Sequence, residues 1–378
     1  MDAREFLRGL NSLGVDFYTG VPDSLLQSLN DTLVADFGLT GAHVVAANEG
    51  GAVGLAAGHY IATGKPAMVY LQNSGVGNIV NPVASLLNSR VYGIPCVFVV
   101  GWRGEPGIHD EPQHAFQGII TRETLELLEL TVFELDRDID MDTFKEMLVQ
   151  TEPMLTQGRS VAFLVHKGGL CGGETMQKPE HAYPMTREAA LDVILKASGK
   201  ADYFVSTTGK TSREVFELRE RLHQGHDHDF LTVGSMGHAN MIALGMALAK
   251  PEATFWCLDG DGAALMHMGG FAIEAQHRQR NLVHVLLNNG AHESVGGTPV
   301  AGGNLWFAPI ARSVGFEKVF TAESEGELRG LLPRVRDAVG KHLCFLEIML
   351  KQGSRADLGR PTQTPAENLH DLMNSLNK

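Results

Sequence analysis

A chain of 378 residues with 44% hydrophobic and 20% charged side chains has the composition of an ordinary globular protein with two domains, or three. Its formal net charge of −13, without a dense Lys/Arg run, excludes a general nucleic-acid binder and obliges any anionic substrate to be gathered by a local cationic pocket. No apolar run reaches the roughly 18 residues of a membrane span, and the opening MDAREFLRGLNSLGVDF reads as an amphipathic start rather than a signal peptide. The four cysteines (Cys96, Cys171, Cys257, Cys344) lack CxxC or zinc-like spacing and read as reduced thiols. The expectation is a cytoplasmic enzyme of a small molecule, with no membrane and no nucleic-acid partner.

The predicted elements alternate. VDFYTG (15–20) is a strand, Pro22-Asp23-Ser24 opens a helix to about Asp36, and HVVAA (43–47) is the next strand. A helix of small residues, GGAVGLAAGHYIAT, leads to the strands AMVYLQ (67–72), PCVFVVG (95–101) and, later, VAFLVH (161–166). Strands that are apolar throughout and separated by helices imply a parallel sheet covered on both faces. Residues 168–184, rich in Gly, Pro and polar side chains, read as a linker. A second series follows: the helix TREAALDVILKA, the strands YFVSTTG, ATFWCLDGDG, LVHVLLNN and CFLEIML, and a closing helix from about Ala366. The fold class is α/β, with two doubly wound parallel-sheet domains over 1–172 and 185–378 and no sequence repeat between them.

Gly260-Asp261-Gly262 is separated by 25 residues from Asn288-Asn289. Either piece alone is an ordinary turn. Together they read as strand (Thr254–Leu258), loop, helix (about Leu265–Gln279) and strand (Leu282–Leu287), and a crossover brings both strand ends to one edge of the sheet. Asp261, Asn289 and a backbone carbonyl near Ala291 would aim hard oxygens at one point, the ligand type that magnesium takes. Gly262 and Ala263 would offer backbone N–H groups to a phosphate. Gly209-Lys210-Thr211 is not a phosphate loop, because Phe204 stands where that motif needs glycine.

This pairing of GDG and NN resembles the signature of thiamine-diphosphate enzymes. The resemblance implies thiamine diphosphate and Mg2+ as cofactors, with Asp261, Asn289 and the Ala291 carbonyl as metal ligands. It implies diphosphate contacts at Thr208, Gly209, Gly260, Gly262 and Ala263. Gly234-Ser235-Met236 resembles the segment whose bulky side chain, here Met236, wedges between the two cofactor rings. Glu49, in Ala46-Ala47-Asn48-Glu49-Gly50-Gly51-Ala52, resembles the glutamate that activates the aminopyrimidine. The stretch Gln72–Asn78, with Asn73, is expected to face the cofactor as well. The first domain would then bind the pyrimidine and the second the diphosphate, with no middle domain.

GVPDS (20–24), GEPG (104–107), DEPQH (110–114) and NNGAHESVGG (288–297) resemble the phosphonopyruvate decarboxylase branch of that family, over essentially the whole chain. Sulfopyruvate decarboxylases are near relatives. The implied reaction converts 3-phosphonopyruvate to phosphonoacetaldehyde and carbon dioxide. Asp23, His114, His292 and Glu293 are the candidates for proton handling, and Arg103, Lys210 and Arg213 for the phosphonate. Decarboxylation of another 2-oxo acid and carboligation remain alternatives. A non-catalytic binding subunit is disfavoured, since Glu49, Asp261 and Asn289 are all present. The resemblance also implies a homodimer or dimer of dimers with active sites between subunits.

Overall fold

The computed structural model describes residues 1–39, 41–173, 183–300 and 305–377. The chain divides into two compact units, Met1–Lys178 and Pro179–Lys378. Most of the expected linker, from 174 to 182, lies outside the described residues.

In unit 1 the strands are β1 (Tyr18–Gly20), β2 (His43–Val45), β3 (Ala67–Gln72), β4 (Cys96–Gly101), β5 (Thr131–Leu135) and β6 (Val161–Val165). They form one parallel six-stranded sheet in the order β2-β1-β3-β4-β6-β5. Side chains alternate along each strand, and both faces are dry. Met68, Tyr70, Val97, Val99 and Phe163 enter one core, while Val69, Leu71, Phe98, Val100 and Leu164 enter the other. Burial on both faces is why these strands read as unbroken apolar runs. β5 was not foreseen: it is the edge strand, only partly buried, so its sequence TVFEL carries a weaker signal. The start of unit 1 is tied to its end, because Ala3 N–H donates to the Cys171 carbonyl and Cys171 N–H to that of Met1, each at 2.9 Å.

The helix expected to open at Pro22 begins at Gln27 and runs to Phe37. Pro22-Asp23-Ser24 instead forms a loop, held where the Leu25 N–H donates to Asp23 Oδ2 at 3.1 Å. An Asp side chain that captures a backbone N–H two residues on favours a turn over a helix.

Unit 2 comprises β7 (Asp202–Ser206), β8 (Asp229–Leu231), β9 (Thr254–Gly260), β10 (Leu282–Asn288), a two-residue antiparallel pair β11 (Ala291–His292) and β12 (Thr298–Pro299), β13 (Lys318–Ala322) and β14 (Cys344–Met349). Its parallel sheet runs β13-β14-β10-β9-β7-β8. Read from the other edge and without the small pair, that is the order of unit 1. Neither β8, three residues long, nor the partly exposed β13 was foreseen. The helix after GDG begins at Asp261 rather than near Leu265, and it is broken at His267 before resuming over Gly269–His277. Gly260 is the extended residue before it (φ −102°, ψ 155°), so what reads as a loop is a direct strand-to-helix junction.

One buried polar cluster lies beneath that junction. His284 on β10 pairs through Nδ1 with Glu274 at 3.0 Å, and its Nε2 lies 3.8 Å from Asp259. Burial opposes charge on the imidazole, but the two carboxylates outweigh it and hold its pKa above the ordinary value. Burial also pushes Asp259 up to about 6. The two acids and the histidine lie together within the core of unit 2, with His284 Nε2 and Asp259 Oδ2 facing each other without a hydrogen bond.

Candidate active site

At the carboxyl edge of the unit 2 sheet, a cleft is lined by Thr207, Thr208, Lys210, Met236, Asp261 and His292, among others. Asp261 is 5% exposed. Its Oδ1 accepts the Gly262 N–H at 2.7 Å and its Oδ2 the Gly290 N–H at 2.5 Å. Burial pushes its pKa up to about 7, against the pull of those N–H groups. A buried carboxylate held by backbone donors alone is stabilised by a cation, and the nearby oxygens are hard ones. Asn289 Oδ1 accepts the Ala291 N–H at 3.1 Å and keeps a second lone pair. Asp261, Asn289 and the Ala291 carbonyl thus fit a magnesium ion.

Gly262 sits between the other two lining groups. A Cβ there would lie 2.9 Å from the His292 ring and 3.5 Å from the Met236 methyl, so only glycine allows this approach. His292 is buried, which lowers its pKa to about 4 and keeps it neutral, and its Nε2 has no hydrogen-bond partner. The turn carrying Met236 is strained at Ser235 (φ 55°), flanked by Gly234 and by Gly237 (φ 83°). Gly209, at φ 92°, turns the chain from Thr208 into the helix Lys210–Arg221. Ala263, in the first turn after Asp261, also lines the cleft. Arg213 is partly buried on the Lys210–Arg221 helix and is not among the cleft-lining residues.

Glu293 is engaged. Its Oε2 accepts from Arg187 at 2.6 Å and from Asn289 Nδ2 at 2.9 Å, while Oε1 lies 3.6 Å from Lys210 Nζ. Arg187 is itself bidentate to Glu214, at 2.7 and 2.9 Å. Neither Arg187 nor Glu214 was singled out from sequence. Arg187 lies in TREAAL, which reads as a common helix start with a solvated charge, and nothing local marks it as buried.

At the carboxyl edge of the unit 1 sheet, Glu49 is the first residue of the helix Glu49–Thr63 and is only 4% exposed. The Asn48 side chain caps that helix by accepting the Gly51 N–H. Asn78 Nδ2 donates to Glu49 Oε2 at 2.6 Å. A Cβ on Gly75 would lie 2.2 Å from Glu49 Oε1, so this glycine makes room for the carboxylate.

Asp23 is fully buried and receives the Gln72 amide at 2.5 Å. Burial raises its pKa, against the pull of Gln72 and Arg103. Arg103 is bidentate to Asp110, at 2.7 and 2.5 Å, and also donates to Ser24. It lines a pocket with His109 and Lys167. Asn73 is spent inside the unit: Nδ2 donates to the Arg103 carbonyl and to Thr121, and Oδ1 accepts the Arg103 N–H. His114 is buried beside Arg103; burial first, then that cation, lower its pKa, and Nδ1 has no partner.

Residues 3–125 match the N-terminal TPP-binding domain of thiamine pyrophosphate enzymes, and residues 207–348 match the C-terminal one. A phosphonopyruvate decarboxylase of Streptomyces hygroscopicus is 34% identical, covering 97% of this chain and 92% of that one. The chain belongs to the thiamine pyrophosphate enzyme family. A second phosphonopyruvate decarboxylase, from Streptomyces viridochromogenes, is 33% identical with the same coverage. A sulfopyruvate decarboxylase of Methanosarcina acetivorans is 24% identical over 91% of the chain and 90% of its own length. Membership accounts for the two six-stranded sheets.

Proposed function

We propose that the protein decarboxylates 3-phosphonopyruvate to phosphonoacetaldehyde and carbon dioxide, using thiamine diphosphate and Mg2+. The observation that carries the substrate is the near full-length similarity to two phosphonopyruvate decarboxylases, at 33–34% identity. When bound, the cofactor supplies the electron sink for the pair released as carbon dioxide departs.

The chain's own groups supply the rest. Asp261, Asn289 and the Ala291 carbonyl would hold the metal, and Thr208, Gly209 and the first turn of the Lys210–Arg221 helix would receive the diphosphate. Met236, packed toward Gly262, would be the side chain set between the two rings of the cofactor. Glu49, oriented by Asn78, holds the proton exchanged with the aminopyrimidine nitrogen. Burial makes His114 and His292 poorer bases and keeps both rings neutral near pH 7, so they would meet the substrate as uncharged hydrogen-bond partners in its proton handling. Asp23, whose pKa burial raises, is suited to returning a proton to the product carbon. Lys210 or Arg103 would meet the phosphonate. The carboxylate that leaves should meet no cation, since an ion pair there would stabilise the ground state.

The test is carbon dioxide release from phosphonopyruvate, sulfopyruvate and pyruvate, with and without an added aldehyde acceptor. Preference for sulfopyruvate, the acid in the name of the Methanosarcina relative, or a coupled product with the acceptor would overturn the substrate reading. We further propose that the chain works in the cytoplasm as a homodimer or dimer of dimers. Among the described residues no helix is long and apolar enough to cross a membrane. The outer side of the Glu49–Thr63 helix leaves Leu55 41% and Ile61 73% exposed, an apolar face suited to a second copy. A monomer in sedimentation velocity at working concentration would overturn the assembly.

A further inference from the structure

We propose that Glu293 and Arg187 are positioning residues, which set the amide of Asn289 so that its oxygen, not its nitrogen, faces the metal. The inference rests on the assignment of Asp261 and Asn289 as ligands.

An asparagine amide has two nearly identical faces, and only one binds Mg2+: Oδ1 has lone pairs, Nδ2 has none to give. The orientation must therefore be imposed by neighbours. Two neighbours impose it here. The Ala291 N–H can only donate, so it selects Oδ1, at 3.1 Å. The Glu293 carboxylate can only accept, so it selects Nδ2, at 2.9 Å. A flip would set an N–H against an N–H on one side and a carbonyl against a carboxylate on the other.

Glu293 is in turn fixed. Its Oε2, which receives Asn289, is the oxygen that receives Arg187 Nη1 at 2.6 Å. Arg187 cannot swing away, because its other two guanidinium nitrogens, Nε and Nη2, are bidentate on Glu214. Arg187 is 7% exposed, Glu214 1% and Asn289 6%, so water does not loosen the chain. A planar guanidinium held by a second carboxylate is a rigid arm, and the charge pairs are too buried to be exchanged for hydration. Lys210 stands 3.6 Å from the other oxygen of Glu293 and balances the second acid. Oε2 of Glu293 is committed to this task, while Oε1 accepts no hydrogen bond.

The experiment titrates thiamine diphosphate into the full chain at a series of Mg2+ concentrations by calorimetry, without turnover. Glu293→Leu should raise the Mg2+ concentration for half-maximal binding by about 10–100-fold, the usual effect of losing an outer-shell partner. Asn289→Asp supplies the decisive background. With oxygens at both positions, orientation no longer matters, so adding Glu293→Leu to Asn289→Asp should leave the Mg2+ requirement unchanged or lower it. Glu293→Gln keeps the volume and one oxygen to receive both donors, and should stay near wild type. This variant also carries the test if the leucine chain does not fold, as judged by melting without cofactor. Equal losses for Glu293→Leu in both backgrounds, no loss in the Asn289 chain, or a large loss for Glu293→Gln would each overturn the positioning role. Wild-type cofactor binding without any divalent cation would instead overturn the ligand assignment, and the inference with it.

Discussion

The two units share one strand order, so their strand ends can be compared position by position. β3 and β4 of unit 1 correspond to β9 and β10 of unit 2. At the first pair of ends stand Asn73 and Arg103; at the second, Asp261 and Asn289. In unit 1 the gap between the two strands is closed: Asn73 donates to the Arg103 carbonyl and accepts its N–H, so every polar atom of its side chain is used. In unit 2 the equivalent side chain is an acid held only by N–H groups, its pKa pushed up to about 7 by burial. One architecture thus places either a strut or a buried acid at the same topological point. The difference lies in side-chain chemistry, Asn against Asp, and in the backbone that follows, a 3-10 turn from Asn73 against an α-helix from Asp261.

The largest expected effect breaks the charged end. Asp261→Ala or Asn289→Ala should abolish Mg2+-dependent retention of thiamine diphosphate, a greater loss than the about 10–100-fold of an outer-shell change. Equilibrium dialysis at several Mg2+ concentrations measures it, and wild-type retention would break the comparison at its root.

Glu49→Gln comes next. The amide fills the same space beside Asn78 and Gly75, so cofactor should still bind. It cannot exchange a proton as the acid does, and turnover should fall by about 10²–10⁴-fold. Single-turnover kinetics with cofactor saturated would reveal it, and full activity would remove Glu49 from the chemistry.

The strut should behave differently from the charge. Asn73→Ala leaves the Arg103 carbonyl without its Asn73 donor and the Arg103 N–H with only the Gly101 carbonyl, and should destabilise unit 1 by about 1–3 kcal/mol. Urea unfolding measures this; a loss of Mg2+ affinity without a loss of stability would contradict the assignment.

The smallest effect is a pH dependence. His292 has a folded pKa near 4 and an ordinary value of 6.5, so the folded state resists protonation. Its contribution is present above pH 6.5 and is lost as the pH falls toward 4, a drop on the order of 1–3 kcal/mol. Melting curves of wild type and His292→Gln between those limits should converge at the acid end. Parallel curves would show that His292 does not carry this acid sensitivity.

Much of this was legible in the sequence because the strands are buried on both faces. VFVV and VLLN announce a covered parallel sheet, and the distance from GDG to NN announces two strand ends at one edge. The edge strands β5 and β13 were not legible, since a half-exposed strand such as KVFTA mixes polar and apolar residues without a clear period. The junction at Asp261 was misread for a local reason: a glycine on either side suggests a turn, although Asp at a helix start is equally common chemistry. Arg187 and Glu214 were invisible for a different reason. Charged residues on helices are normally solvated, and only the fold reveals that these two face inward and toward Glu293.

The hydrogen bonds joining residues 1–3 to Cys171 also have a practical meaning for anyone rebuilding this enzyme. They bring the first and last segments of unit 1 side by side, leaving a seam that a few added residues could bridge. Chains whose ends already touch tolerate circular permutation. A rearranged unit 1, sealed there and reopened at the exposed turn near Gly107, should keep its sheet and present Glu49 unaltered.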